Sequence, residues 1–373
     1  MSLRISTELF VAFLNCKYKA YLKTTDASGA ASDYEMMETS LDEKYRMGAS
    51  RCLLGGFPED RVVDSPESVD RAIQQEFHAI SNACVATGEF SVRFDALLRS
   101  SAKPGSRPDY LPVLFTRSER ISKHHKLLLA FHGFALSKAQ GHPPRFGRIV
   151  HGEAFHNVRV CIDRLTSAVE EYLEEIRATT APQFQLNDHC RVCEFRARCR
   201  RLAIEKDELS LLRGLREKEI SKLNNKGIFT ATQLSYTFRP RRRRKARKQR
   251  TTQHNHALQA LAIRTDTIYV GPRPELPKRP TLVYVDIEGV PTQESYYLIG
   301  VLVCTGSKQQ SFSLWADTKN DERKMWTSFL RIIQRQHEFA ILHYGAYDAR
   351  AMITGPETWR RPSTDPESAR ILH

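Results

Sequence analysis

The stretch DHCRVCEFRARC, residues 188–199, sets Cys190, Cys193 and Cys199 in a Cys-x2-Cys-x5-Cys spacing among arginines. Thiols this close on one short segment can bind a single ion or cluster together. A tetrahedral zinc or a [4Fe–4S] cluster then needs a fourth ligand. The adjacent His189 and the distant Cys16, in FLNCKYKAYL, are the candidates. Cys52, Cys84, Cys161 and Cys304 stand alone in apolar or mixed surroundings and read as small core residues. The first residues lack the uninterrupted apolar run of an export signal, so the cysteines argue against a disulfide framework and the cytoplasm is the expected compartment.

A second set of candidates is acidic. TLVYVDIEG places Asp286 and Glu288 two positions apart on what reads as a strand. Side chains alternate along a strand, so both leave one face and can hold a Mg²⁺ or Mn²⁺ ion between them. Carboxylates inside an apolar strand are costly unless something binds them. The competing reading is a surface-facing edge strand, with Val283 and Val285 turned to the core instead. Downstream, ILHYGAYDARAM puts Asp348 just past a strand, where a helix begins.

The charge is uneven. The chain of 373 residues carries a net +14, and nine positive charges lie between Arg239 and Arg250 in RPRRRRKARKQR. Such a run attracts polyanions by counterion release, which makes nucleic acid, DNA foremost, the leading partner class. Arg239, Arg241, Arg242, Arg243, Arg244 and Lys245 are its expected contacts, with a solvated linker as the plainer reading. No segment is apolar enough for a membrane span.

The elements that must position these groups follow from periodicity. Residues 8–23 repeat apolar side chains at helical spacing, and helices are expected near 40–54, 123–140 and 160–178. Strands are expected near 89–99 and 110–116. Leu215, Ile220, Leu223, Gly227, Ile228 and Leu234 predict two short helices around a tight turn, a pattern that resembles a helix-hairpin-helix module, with Lys226 beside the turn as a phosphate contact. From 281 the pattern is strand, strand, strand, helix, strand.

A lone N-terminal cysteine combined with Cys-x2-Cys-x5-Cys resembles the RecB-type nucleases of the PD-(D/E)XK superfamily. The resemblance implies that Cys16, Cys190, Cys193 and Cys199 together hold a structural [4Fe–4S] cluster, zinc being the alternative, and so staple the two ends of the domain. It also implies a carboxylate, matched by Asp95, and an acidic-x-Lys pair on the next strand. There the sequence reads Leu114-Phe115-Thr116, and Gly48 is followed by Cys52 where the family has histidine. Asp109, Glu119 and Lys123 are the remaining candidates, at the wrong spacing, so this core is expected to be catalytically silent.

The Asp-x-Glu strand followed by Tyr-Gly-x-Tyr-Asp resembles the RNase H-like fold of DEDD exonucleases, in particular the YprB-like branch. That implies Asp286, Glu288 and Asp348 as ligands of two divalent ions flanking a scissile phosphate. It also implies a fourth carboxylate on a later helix. Asp365 and Glu367 lie in a segment without a core pattern, so an incomplete domain is expected, completed by a protein partner or belonging to a longer relative. The expected fold class is multidomain α/β. It comprises a PD-(D/E)XK nuclease-like domain (1–205), a helical hairpin (206–236), a basic linker (237–280), a partial RNase H-like domain (281–353) and an irregular tail (354–373). The expected activity is metal-dependent phosphodiester hydrolysis. The alternative is a non-catalytic nucleic-acid-binding remnant of a longer nuclease or helicase, although no phosphate-binding G-x4-G-K-[ST] loop occurs here.

Overall fold

Alternate residues of one strand show how the N-terminal part is layered. In β7 (Tyr110–Thr116), Leu114 joins one apolar cluster with Phe10, Leu129, Phe131 and Ile149, while Val113 and Phe115 join another with Ala49, Ala79 and Val150. The sheet is therefore buried on both faces. The computed structural model describes residues 3–25, 27–100, 109–178, 180–239, 255–269, 276–290 and 295–357. The chain forms two compact units, Met1–Gly271 and Pro272–His373.

In the first unit, β1 (Ile5–Ser6) leads into α1 (Thr7–Asn15), α2 (Lys17–Thr24) and α3 (Asp33–Leu54). A mixed sheet has the order β2 (Val62–Asp64), β3 (Ala79–Ser81), β6 (Ala96–Arg99), β7, β8 (Phe146–His151), β9 (His156–Cys161). A small sheet pairs β1, β5 (Phe90–Arg93) and β4 (Cys84–Ala86). Between them run α4 (Val69–Gln74), α5 (Lys123–Gln140) and α6 (Thr166–Arg177). Phe10 of α1 stacks on Phe131 of α5 with ring centroids 4.2 Å apart, fixing α1 against the face that α5 covers. Ala49 of α3 packs on the other face.

Two departures from the sequence expectations matter. Residues 8–23 form not one helix but two, broken at Cys16, whose φ of −165° and ψ of 116° are extended. Its Sγ accepts from the Lys19 amide at 3.4 Å, so the cysteine caps α2 as a serine would. Likewise 89–99 is not one strand. The chain leaves the small sheet after β5, passes through Phe94 and Asp95, and enters the large sheet as β6.

Beyond α7 (Arg196–Glu205) come α8 (Glu217–Asn224), α9 (Ala231–Ser235) and α10 (His256–Thr265). The α8–α9 turn uses Gly227 at a left-handed φ of 79°. Leu209, Leu212, Ile220, Leu234 and Ala260 form its core. The expected linker over 237–280 thus contains a helix that packs into this core through Ala260, the local apolar residues outweighing the charge run before them. Lys226 and Arg239 are exposed, and Arg241, Arg242, Arg243, Arg244 and Lys245 lie outside the described residues.

In the second unit, a sheet has the order β12 (Lys308–Trp315), β11 (Ser295–Thr305), β10 (Thr281–Val290), β13 (Phe339–His343). Only the β10–β13 pair is parallel. Val283, Val285 and Ile287 pack with residues of α11 (Lys319–Gln334) and α12 (Ala346–Glu357), notably Trp326, Phe329 and Ala351. A β-carbon on Gly355 would lie 2.3 Å from the Trp326 ring, so that glycine lets α12 lie close against α11.

Candidate active site and metal centre

β10 alternates as expected. Val283, Val285 and Ile287 are buried, and Tyr284, Asp286 and Glu288 are exposed on the opposite face. The strand is interior rather than an edge. Its pairing with β13 ends at Val285–His343, so Asp286 and Glu288 project just where the parallel neighbour stops. Across on β11, the residue facing Asp286 is Gly300, and a β-carbon there would meet nothing nearer than 3.7 Å. The space over that carboxylate is open. The β10–β11 register shifts between Glu288 and Gly289, a bulge of the kind that re-aims side chains beside a site.

Where β13 no longer pairs, α12 takes over. Asp348 lies in its first turn, is only 4% exposed, and its Oδ1 accepts the Ile287 amide at 3.2 Å. The buried carboxylate thereby satisfies the backbone of the residue between Asp286 and Glu288, with favourable placement at a helix N-terminus. Tyr347 was not among the residues singled out from sequence. A β-carbon on Gly289 would lie 2.6 Å from its hydroxyl, so glycine after the Asp-x-Glu motif admits the phenol. Burial, then Tyr296, Glu288 and Asp348, push the Tyr347 pKa up. The phenol is therefore a proton donor at neutral pH, not a base. The signal was its place directly before Asp348 in the quoted motif.

Asp286, Glu288 and Asp348 fit a hard divalent cation by donor chemistry, as carboxylates beside an open space. Among the described residues, no three His, Cys, Asp or Glu side chains converge at ligand distance. Asp365 and Glu367 lie outside the described residues.

The N-terminal candidates are dispersed. Asp95 is closed off, its Oδ2 accepting the Phe115 amide at 2.7 Å and its Oδ1 lying 3.3 Å from Arg46 Nε. Burial raises its pKa, opposed by Arg46 and the Phe115 amide. An arginine thus occupies the position of positive charge beside it. Asp109 precedes the opposite end of β7, its Oδ1 3.7 Å from His142 Nδ1. Glu119 Oε1 accepts the Glu153 amide at 3.2 Å, and Lys123 opens α5 on the wall of a separate cleft. The four expected residues do not form one site: Asp95, Asp109 and Glu119 are each held by a different partner, and Lys123 faces the cleft. Nearby, His132 is 1% exposed with neither ring nitrogen bonded, and burial followed by Arg46 brings its pKa down to about 3.

The four cysteines are neighbours, although among the described residues they do not converge at ligand distance. Each of the six pairings among Cys16, Cys190, Cys193 and Cys199 contributes thiolate repulsion to the pKa of at least one member. Burial is the larger cause in each case, and Cys199 is pushed up to about 11. The break at Cys16 turns that thiol toward the later segment. Asn187 Nδ2 donates to the Asn15 carbonyl at 3.0 Å, Lys23 pairs with Glu194 at 2.9 Å, and Tyr18 meets Phe184 edge-on. His189 Nε2 lies 3.3 Å from Lys19 Nζ, and burial, then Lys19, lowers its pKa. By donor chemistry soft thiols suit an iron–sulfur cluster or zinc, while among the described residues the four do not form a ligand set.

Residues 283–361 match the RNase H superfamily. No curated protein sequence matches the chain. Among solved structures, one titled "Crystal structure of SSO0001" shares 13% identity over 53% of this chain and 85% of its own, with a TM-score of 0.29. The RNase H superfamily match begins in β10, the strand of the four-stranded sheet that carries Asp286 and Glu288. No described helix is long and apolar enough to cross a membrane.

Proposed function

We propose that this protein is a metal-dependent nuclease whose working carboxylates are Asp286, Glu288 and Asp348. The observation that carries the reading is the Asp348–Ile287 hydrogen bond, which docks a buried carboxylate beside a motif pair facing an open space over Gly300. A bound Mg²⁺ or Mn²⁺ ion would neutralise phosphate charge and lower the pKa of a water. The chain's own contribution is positional. Asp286 and Glu288 present acceptor oxygens on one face, Asp348 fixes the backbone between them, and the protonated Tyr347 hydroxyl can donate to a phosphate oxygen. Incubation of labelled single-stranded DNA, duplex DNA and RNA with Mn²⁺ tests this. Cleavage lost in Asp286→Asn supports it, and equal cleavage by both proteins removes the site.

The RecB-like resemblance of the first unit is supported by the neighbouring thiols and the two-faced mixed sheet. In this reading Cys16, Cys190, Cys193 and Cys199 hold a structural cluster. Iron, sulfide and zinc content on anaerobically purified protein, with Cys16→Ser alongside, decides between cluster, zinc and free thiols. The closed ion pair at Asp95 favours a first unit that binds rather than cuts nucleic acid. The second reading, a binding protein without catalysis, gains from the lack of a third converging ligand among the described residues. Salt-sensitive binding without metal-stimulated cleavage is its expected outcome.

A further inference from the structure

One concavity of the first unit is lined by positive charge. A cleft of about 950 Å³ runs between the α1–α2 break, the start of α5, residues 183–200 and residues 210–217. Lys123, Arg191, Arg196, Arg200, Arg213 and Arg216 line it, and all six are exposed. Among the described residues none of the six pairs with a carboxylate, whereas Arg46, Arg117 and Arg177 elsewhere in this unit each do. Asp188 and Glu217 are the acidic residues on the lining, so the cleft is strongly cationic.

Unpaired cations repel one another, and a concavity that collects them costs stability unless an anion enters. Three separate chain segments supply the six cations, so the array is set by the fold rather than by one basic helix. Gly214, at a left-handed φ of 81°, turns the chain between Arg213 and Arg216 and presents both to the cleft. Tyr18 and Tyr172 also line it, half-buried and braced by Phe184 and Phe13 respectively. Aromatic faces beside a cationic groove suit unpaired bases, which a duplex keeps stacked.

We propose that this cleft is a track for single-stranded nucleic acid, its phosphates held by the six cations and its bases reaching the tyrosines. The proposal rests on the nucleic-acid reading above and adds to it a location and a strand preference, independent of the basic run at 239–250. Cys16 and Cys190 form part of its wall, so whatever holds the thiols together also holds Arg191, Arg196 and Arg200 in place.

The test uses the full-length protein and fluorescein-labelled 20-nucleotide oligothymidylate in a metal-free buffer, so that hydrolysis plays no part. Arg196→Gln/Arg200→Gln and, on other walls, Lys123→Gln/Arg213→Gln are titrated over a range of salt, with Arg196→Lys/Arg200→Lys and Arg213→Lys as conservative controls and circular dichroism to confirm folding. Each Gln pair is expected to weaken binding at least tenfold and to flatten the salt slope by about 0.7 per lost phosphate contact, with Lys retaining most of both. A blunt 20-base-pair duplex is expected to bind more weakly than the single strand. Wild-type affinity and slope in both folded Gln pairs overturn the cleft while leaving nucleic-acid binding standing. Tighter duplex binding overturns the strand preference. No binding by the wild type overturns the cleft and the nucleic-acid reading together.

Discussion

Asp95 and Asp286 both occupy sheet positions, and their surroundings make them opposite in kind. Asp95 sits at the entry to a sheet with apolar packing on both faces, held by the Phe115 amide and by Arg46. Asp286 sits on the exposed side of β10, across from a glycine, with a second carboxylate two residues on and a third docked from α12. A buried carboxylate whose charge is already answered is an architectural element. One that is exposed, accompanied by its like and left room is available for a cation. The residue type is shared, and neighbours decide the chemistry.

The largest expected effect separates the two directly. Asp286→Asn is expected to lower Mn²⁺-stimulated cleavage by at least about 100-fold, the scale of losing a charge-stabilising group at the reacting centre. Asp95→Asn, compared per folded molecule, is expected to leave cleavage within about twofold of wild type. Loss of cleavage in the Asp95 variant alone would reverse the assignment of which sheet is the working one.

Stability comes next, and with it a pH signature. Arg46→Met leaves Asp95 with a single partner and is expected to destabilise the first unit by about 1–2 kcal/mol, a buried-pair loss discounted because half of the Arg46 side chain is in solvent. Burial already raises the Asp95 pKa, and Arg46 is the first influence opposing that rise. A carboxyl whose folded pKa lies above its unfolded value stabilises fully below the unfolded value, about 3.9, and loses that contribution as pH climbs through the folded one. Without Arg46 the folded pKa rises further, so the deficit should be smallest near pH 4 and larger at pH 7. Urea unfolding at both values measures it, and a pH-independent deficit would mean the arginine acts by packing alone.

How much of this was legible in the sequence follows the same division. Long periodic elements were plain, as in α5 and in the alternating β10, because burial on one face writes itself into residue order. The break at Cys16 was not legible, since Phe10, Phe13, Leu14 and Tyr21 keep helical spacing across it. The Asp95 ion pair was hidden because Arg46 lies 49 positions upstream, on a helix that meets the sheet only in three dimensions. Helix α10 was masked by the basic run before it, and Tyr347 by the stronger chemistry of its neighbour Asp348.

A smaller effect sharpens the role of open space. Gly300→Ala places a methyl no nearer than 3.7 Å to Asp286 and should leave cleavage close to wild type. Gly300→Val sets a branched side chain beside the carboxylate and is expected to reduce cleavage about tenfold, the scale seen when a ligand's surroundings are disturbed. β-branched residues suit a strand, so stability should hold or improve. A loss of activity without a loss of stability separates crowding of the site from damage to the sheet. Equal activity of the alanine and valine variants would mean that the space over Asp286 is not used.

The smallest expected effect concerns Tyr347. Its hydroxyl approaches the strand only because Gly289 lacks a side chain, and Glu288 and Asp348 help hold its proton on. Tyr347→Phe keeps the ring and removes one donor, so cleavage should fall about fivefold, the worth of a single hydrogen bond near 1 kcal/mol. The shape of the pH profile between 6 and 9 should not change, since a phenol with a raised pKa does not titrate there. A lost basic limb in that range would show the tyrosine exchanging a proton during turnover. Its charge environment would then have to differ from that of the resting protein, with a cation drawing Glu288 and Asp348 away from the phenol. Repeating the profile in Mg²⁺ and in Mn²⁺, whose bound waters differ in acidity, separates a limb belonging to the tyrosine from one belonging to the metal-bound water.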